Sequence, residues 1–156
     1  MKLKETVDFH LKATWHSLTK MYNQAALKYE TSQTIGYVLI NVDKEGTPAT
    51  KIAPLLGMES TSLSRLLKSM EKKGLIYREA DEVDKRIVRI FLTDYGVAKR
   101  KLAKKTIISF NEKVLKKVKK SDLKVFYKVI DAINEIASDE KQNEAEEIKI
   151  SKENKE

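Results

Sequence analysis

Four hydroxyl side chains fall within five positions, Ser60, Thr61, Ser62 and Ser64, and Arg65, Lys68 and Lys72 follow them at helical spacing. Short hydroxyls near a helix axis can meet base edges or phosphates. An arginine fork matches guanine O6 and N7 bidentately, and lysines neutralise phosphates. Arg65 is therefore a candidate base reader, with a phosphate clamp or a partner to a nearby carboxylate as the plainer roles. Lys68 and Lys72 are phosphate contacts or simply solvated. The two histidines, His10 and His16, are six residues apart. Helix-borne metal ligands want a spacing of three or four, so one helix cannot make the site. Carboxylates from other helices would have to complete it, and a polar pocket or interface role is the alternative. No nucleophile–base pair, glycine-rich phosphate loop or apolar carboxylate pair is present, so an enzyme is not expected. No metal or cofactor is expected either.

The elements that must hold these residues are mostly helical. Leu3, Val7, Leu11, Trp15, Leu18, Tyr22, Ala25 and Tyr29 form one stripe, which predicts a first helix over 3–29. Thr31 or Ser32 caps a second helix that buries Ile35, Val38, Leu39 and Val42 and stops near Gly46. Thr47 as N-cap and Pro48 as first residue open a third, short helix, distorted by Pro54 and ended by Gly57. Ser60 or Thr61 caps a fourth, which buries Leu63, Leu66, Leu67 and Met70 and stops at Gly74. Small Ala53, Gly57 four residues on, and Leu63 and Leu66 beyond it match a helix-turn-helix, whose second helix carries the hydroxyls and Arg65 on its free face. The residues 75–78 and 87–92 are β-branched and aromatic, and a polar stretch joins them, so a two-stranded hairpin follows directly. A helix-turn-helix with such a hairpin is a winged helix. Thr93 caps a long fifth helix and Ser121 a sixth.

The run Leu66 to Ile76, then Asp84-Lys85-Arg86, then Leu92-Thr93-Asp94-Tyr95-Gly96, resembles the MarR family of bacterial transcriptional regulators. The resemblance spans roughly residues 3–138. It implies a homodimer whose first, fifth and sixth helices form the body, with two winged lobes reading a pseudo-palindromic double-stranded DNA operator. It makes Arg86 a wing-tip arginine entering the minor groove, with Lys85 beside it. Asp84 then orients Arg86, or merely caps the hairpin turn. The resemblance also implies a small anionic or aromatic effector bound between body and lobe, where Trp15, His16, Tyr22 and Tyr37 could line a cavity; core packing is the other reading of those four. Asp81 and Glu82 add negative charge to the wing, which a phosphate backbone would repel.

The expected fold is thus mainly α with a small β-hairpin wing. It comprises an N-terminal dimerisation helix (1–30), a winged helix-turn-helix lobe (31–93), C-terminal dimerisation helices (94–138) and a disordered or frayed tail (139–156). The apolar stripes of the first, fifth and sixth helices exceed what one chain of this size can cover, which independently favours a dimer. The net charge of the 156 residues is +8, and residues 94–120 alone carry ten basic and two acidic side chains. Such asymmetry favours a polyanion partner, or else a lysine-rich solvated face. Cysteine is absent, which excludes disulfides, thiolate metal sites and thiol redox sensing. No apolar run is long enough for a membrane span and no secretory leader is seen, so a cytoplasmic protein without a membrane partner is expected. The functional expectation is a ligand-responsive repressor. A basic helical protein binding DNA or another partner without an operator is the alternative.

Overall fold

The computed structural model describes residues 2–153, with side chains to residue 143. The chain forms two compact units, residues 1–109 and residues 110–156. A 3₁₀ turn at Leu3–Glu5 precedes α1 (Val7–Leu27), α2 (Gln33–Ile40), β1 (Thr47–Pro48), α3 (Ala49–Leu55), α4 (Ser60–Lys72), β2 (Ile76–Ala80), β3 (Val88–Leu92), α5 (Asp94–Lys117) and α6 (Lys120–Glu153). α5 runs from the first unit into the second.

In the first unit, the core is built by periodicity. Ile35, Val38 and Leu39 of α2, Ile52 of α3, and Leu63, Leu67 and Met70 of α4 close on Val42, Leu75, Ile76 and Ile90. Burying each such side chain is worth roughly 1.5–3 kcal/mol. Leu66, expected inside, is only partly buried. Ser32 caps α2 by accepting from the Ile35 N–H at 3.3 Å. α3 and α4 end in the same way. Gly57 (φ +58°) and Gly74 (φ +66°) take the left-handed position. The N–H groups of Gly57 and Met58 donate to Pro54 and Ala53 carbonyls, and those of Gly74 and Leu75 to Glu71 and Met70 carbonyls. These are paired 5→2 and 6→1 closures, which favour glycine because they need positive φ.

The sheet is antiparallel with order β1-β3-β2. The hairpin register pairs Ile76 with Leu92 and Ala80 with Val88, and Tyr77 stacks on its opposite number Phe91 at 5.2 Å. A third strand was not expected. Thr47 and Pro48 pair with Ile90 and Arg89 at the edge of β3, where a proline is tolerated. Thr47 is consequently not a helix N-cap. Its hydroxyl accepts from the Asp43 N–H (2.9 Å) and donates to the Asn41 carbonyl (3.3 Å). α2 stops at Ile40, short of the expected end near Gly46, because Asn41 caps it: its side-chain amide and its backbone N–H both donate to the Tyr37 carbonyl. Gly46 instead lies in the turn before β1, where a Cβ would run into the Phe91 ring.

The second unit holds the end of α5 and all of α6. α6 opens at Lys120 and not after Ser121, whose hydroxyl donates to Asp122. The tail from Asp139, expected to be disordered or frayed, is helical backbone through Glu153. The sequence of this segment has no glycine or proline to break a helix. Residues 154–156 of the expected tail lie outside the described residues.

Candidate nucleic-acid interface

α4 turns Leu63, Leu67 and Met70 inward, so geometry alone turns Ser60, Thr61, Ser62, Ser64, Arg65, Lys68 and Lys72 outward, and all seven are exposed. Among the described residues, Arg65, Lys68 and Lys72 make no ion pair. Glu71 on the same helix is engaged by Arg78, 3.3 Å away, so it does not neutralise them. Neither Ser60 nor Thr61 is the N-cap. Glu59 is, and no side chain caps the helix, which leaves the first-turn N–H groups pointing at solvent as potential anion donors.

The wing loop between β2 and β3 is held by two aspartates. Asp84 accepts from the Arg86 backbone N–H (3.0 Å) and binds its guanidinium bidentately, at 3.0 Å to Nε and 2.9 Å to Nη2. Arg86 is nevertheless 90% exposed along its side chain, and Lys85 beside it is exposed too. The Arg86 guanidinium, then its backbone N–H, holds the Asp84 carboxyl below its ordinary range, and the same pairing raises Arg86. Three guanidinium N–H donors of Arg86 remain for an acceptor outside the chain.

Asp81 corrects the sequence reading. It is buried, not presented to a phosphate backbone. Its carboxylate accepts from the N–H groups of Val83 (2.9 Å) and Asp84 (3.1 Å) and is bonded to Arg89 Nε. The Arg89 hydrogen bond, with those two N–H groups, lowers its pKa to about 2. Glu82 alone carries the expected outward negative charge. Arg89 reaches further, donating from Nη1 to the Gly46 (3.0 Å) and Glu45 (3.3 Å) carbonyls. Sequence reasoning missed this pair. The spacing Asp81-x-x-Asp84-x-Arg86 suits two consecutive aspartate turns, but nothing local points to Arg89, eight residues from Asp81.

The four expected pocket residues separate. Tyr22 and Tyr37 line a small cavity of about 50 Å³, whose other walls include Tyr29, Gly36, Leu102, Ala103 and Ile107. Burial, and then the neighbouring Tyr37, push the Tyr22 hydroxyl up. Trp15 touches the edge of this group, 6.5 Å from Tyr37 between ring centres, but is 56% exposed. Trp15 and His16 instead line a shallow depression along α1 with Phe9, Lys12, Ala13 and Thr19. Missed by the sequence are Thr31, Gln33 and Lys99 on the cavity wall. The buried Thr31 Oγ1 and Gln33 Nε2 have no hydrogen-bond partner among the described residues. Lys99 Nζ donates to the Tyr29 carbonyl (2.8 Å) and lies 5.0 Å above the Tyr95 ring centre. Among the described residues, no group of three His, Asp or Glu could hold a metal, and no helix is long and apolar enough to cross a membrane.

A family model for the MarR family matches residues 42–88, which run from the turn before β1 to the start of β3. The organic hydroperoxide resistance transcriptional regulator of Bacillus subtilis is 33% identical over 97 residues, 62% of this chain and 66% of that protein. The HTH-type transcriptional regulator SarZ of Staphylococcus aureus is 31% identical over 108 residues, 68% of this chain and 73% of SarZ. Among solved structures, the S. aureus MepR–DNA complex superposes with a TM-score of 0.72 at 21% identity, covering 82% of this chain and 95% of MepR. With α4 presented over a three-stranded wing, the wing's Asp84-Lys85-Arg86 inside the residues that the family model matches, and SarZ matched over most of its length, the chain belongs to the MarR family of transcriptional regulators.

Proposed function

We propose that the chain binds double-stranded DNA sequence-specifically as a homodimer and represses transcription until a small ligand releases it. The observation that carries this reading is the pairing, in one lobe, of an outward α4 face free of ion pairs with a wing arginine already locked by Asp84. α4 enters the major groove by its N-terminal half. There Arg65 reaches guanine, Ser60, Thr61, Ser62 and Ser64 reach base edges or phosphates, and Lys68, Lys72 and Lys85 neutralise phosphates. Arg86 enters a narrow A·T-rich minor groove, where the potential is most negative. Two-fold symmetry sets half-site centres about one helical turn, roughly 10 base pairs, apart.

Dimerisation is supported by apolar side chains left in water. Leu115, Val125, Phe126, Tyr127, Val129 and Ile136 are exposed in the second unit, and Leu3, Val7, Phe9 and Trp15 in the first. Surfaces of this kind mark interfaces. The effector reading rests on the Tyr22–Tyr37 cavity. Its apolar walls suit an aromatic ring, while Lys99, Thr31 Oγ1 and Gln33 Nε2 supply donors for an anionic or carbonyl group. A ligand there lowers DNA affinity only by its preference for the conformation that binds DNA less well. The test is fluorescence anisotropy with candidate aromatic acids added to the DNA-bound protein. Release by a ligand that leaves Tyr37→Leu on its DNA supports the cavity, and equal release of both refutes it.

A second reading has its own observation. Lys113, Lys116, Lys117, Lys119, Lys120, Lys124 and Lys128 are all exposed around the α5–α6 turn. That cluster favours a basic protein that binds polyanions without an operator. Equal affinity for operator and scrambled DNA would select it.

A further inference from the structure

Resting on the DNA-binding reading above, we propose that Arg89 is the positioning residue of the wing, bracing the loop that presents Arg86 against the turn that precedes β1. The loop has no apolar support of its own, since Val83 at its tip is 96% exposed and Glu82, Lys85 and Arg86 are exposed around it. Two backbone bonds close it, from the Asp81 N–H to the Ile87 carbonyl (2.8 Å) and from the Ile87 N–H to the Asp84 carbonyl (2.9 Å), and a chain of side-chain contacts orders the rest. Asp84 holds Arg86 by three hydrogen bonds, and Asp81 holds the backbone of Val83 and Asp84 by two more. Asp81 in turn is held by Arg89 Nε, and Arg89 Nη1 reaches the carbonyls of Gly46 and Glu45, more than forty positions away in sequence.

Arg89 therefore joins the loop to a part of the fold that is fixed independently. The turn at residues 41–47 is pinned from one side by the Thr47 hydroxyl and from another by Arg100, which donates to the Val42 carbonyl at 2.9 Å. A planar guanidinium can serve a carboxylate with Nε and carbonyls with Nη1 in one geometry; a lysine ammonium cannot span both. Arg89 sits on β3 opposite Glu79 and Pro48, so its backbone is anchored in the sheet whatever its side chain does. Removing the side chain leaves the strand intact and the loop free to fluctuate. Arg86 must then be ordered at the moment of binding, a penalty that weakens binding about three- to tenfold.

The experiment is a double-mutant cycle of Arg89→Met and Arg86→Ala, read by anisotropy on operators with A·T-rich and G·C-rich flanks, with Lys68→Ala as a third probe in both backgrounds. Arg89→Met is expected to weaken binding three- to tenfold on A·T-rich flanks and less on G·C-rich ones. In that background Arg86→Ala should lose clearly less than in the wild type, while Lys68→Ala loses the same in both. Asp81→Asn, which keeps an acceptor for the two N–H groups but drops the charge facing Arg89, should fall between wild type and Arg89→Met. If Arg89→Met gives no cooperative unfolding transition, Asp81→Asn and Arg89→Lys carry the cycle. An Arg86→Ala loss that is equal in both backgrounds overturns the positioning role and leaves the DNA reading standing. An Arg86→Ala variant that loses nothing in the wild-type background overturns the wing reading itself, and the proposal with it.

Discussion

Replacing Gly96 by alanine should destabilise the protein, although alanine is the better helix former. Gly96 is buried in the first turn of α5, against the backbone that ends α4. A Cβ there would overlap the Leu75 carbonyl oxygen, lie 3.0 Å from its carbon and 3.5 Å from Leu92 Cβ. Backbone cannot rotate away as a side chain can, so the junction must open. Opening it threatens the bond from the Thr93 N–H to the Leu75 carbonyl (3.2 Å) and the one from the Thr93 hydroxyl to the Gly74 carbonyl (2.6 Å). Each is worth about 0.5–1.5 kcal/mol net, and overpacking adds about 1–3, against a helix-propensity gain of at most about 1. The balance is a loss of about 1–5 kcal/mol, or a Tm lower by roughly 2–20 °C in a chain of this length. Urea unfolding followed by circular dichroism at fixed protomer concentration should give a lower midpoint with an unchanged slope. Gly36→Ala is the matched comparison. Gly36 sits inside α2, and its added Cβ would meet only Ala103 Cβ at an ordinary 3.5 Å, so stability should rise by about 0.5–1 kcal/mol. A Gly96→Ala midpoint equal to or above wild type would refute the steric reasoning.

Other outcomes follow from the same geometry. Arg65→Ala should weaken cognate binding by about 1–3 kcal/mol and relax preference at one position per half-site, whereas Lys68→Ala should weaken all sequences alike and reduce the salt slope by about one; a salt titration on base-substituted operators separates them. Arg86→Ala should lose more on A·T-rich than on G·C-rich flanks, and equal loss would reduce Arg86 to a phosphate contact. Asp81, lowered to about 2 from 3.8, contributes stability that is complete above the upper value and lost as pH falls through the lower; Asp81→Asn should flatten that part of the acid unfolding curve. Mild peroxide should leave DNA affinity unchanged, because the chain has no cysteine and its four methionines are slow targets; a fast, reductant-reversible loss would contradict this.

What the sequence revealed was whatever is local. The apolar stripes of α2 and α4, the closures at Gly57 and Gly74, and the Thr93 cap each follow from residues within one or two turns of each other. The run Leu92-Thr93-x-x-Gly96 was legible as a motif, and the structure supplies its reason: Thr93 ties the hairpin to α4 while Gly96 gives the carbonyl of Leu75 room. What stayed hidden depends on partners distant in sequence. β1 is two residues long, one of them proline, and exists only because β3 offers it an edge. Asp81 looked like a surface charge because Arg89 and the Val83 and Asp84 N–H groups neutralise it only once the wing is folded. The cavity wall draws on Tyr22, Thr31, Gln33, Tyr37 and Lys99, from three helices and the turn between the first two. The segment from 139, expected to be a disordered or frayed tail for want of apolar residues, is helical backbone through Glu153, and its sequence holds no glycine or proline to break a helix.

The central claim is operator recognition by a dimer through α4 and the wing. Its most direct test is an anisotropy titration of the full chain on the DNA upstream of its own coding region and on a scrambled duplex of equal composition, at matched physiological salt, with the stoichiometry read from the same curves. Two protomers per site are expected, with an affinity for the upstream DNA about a thousandfold or more above the scrambled one. Equal affinity for the two duplexes, or a single protomer per site, would contradict it.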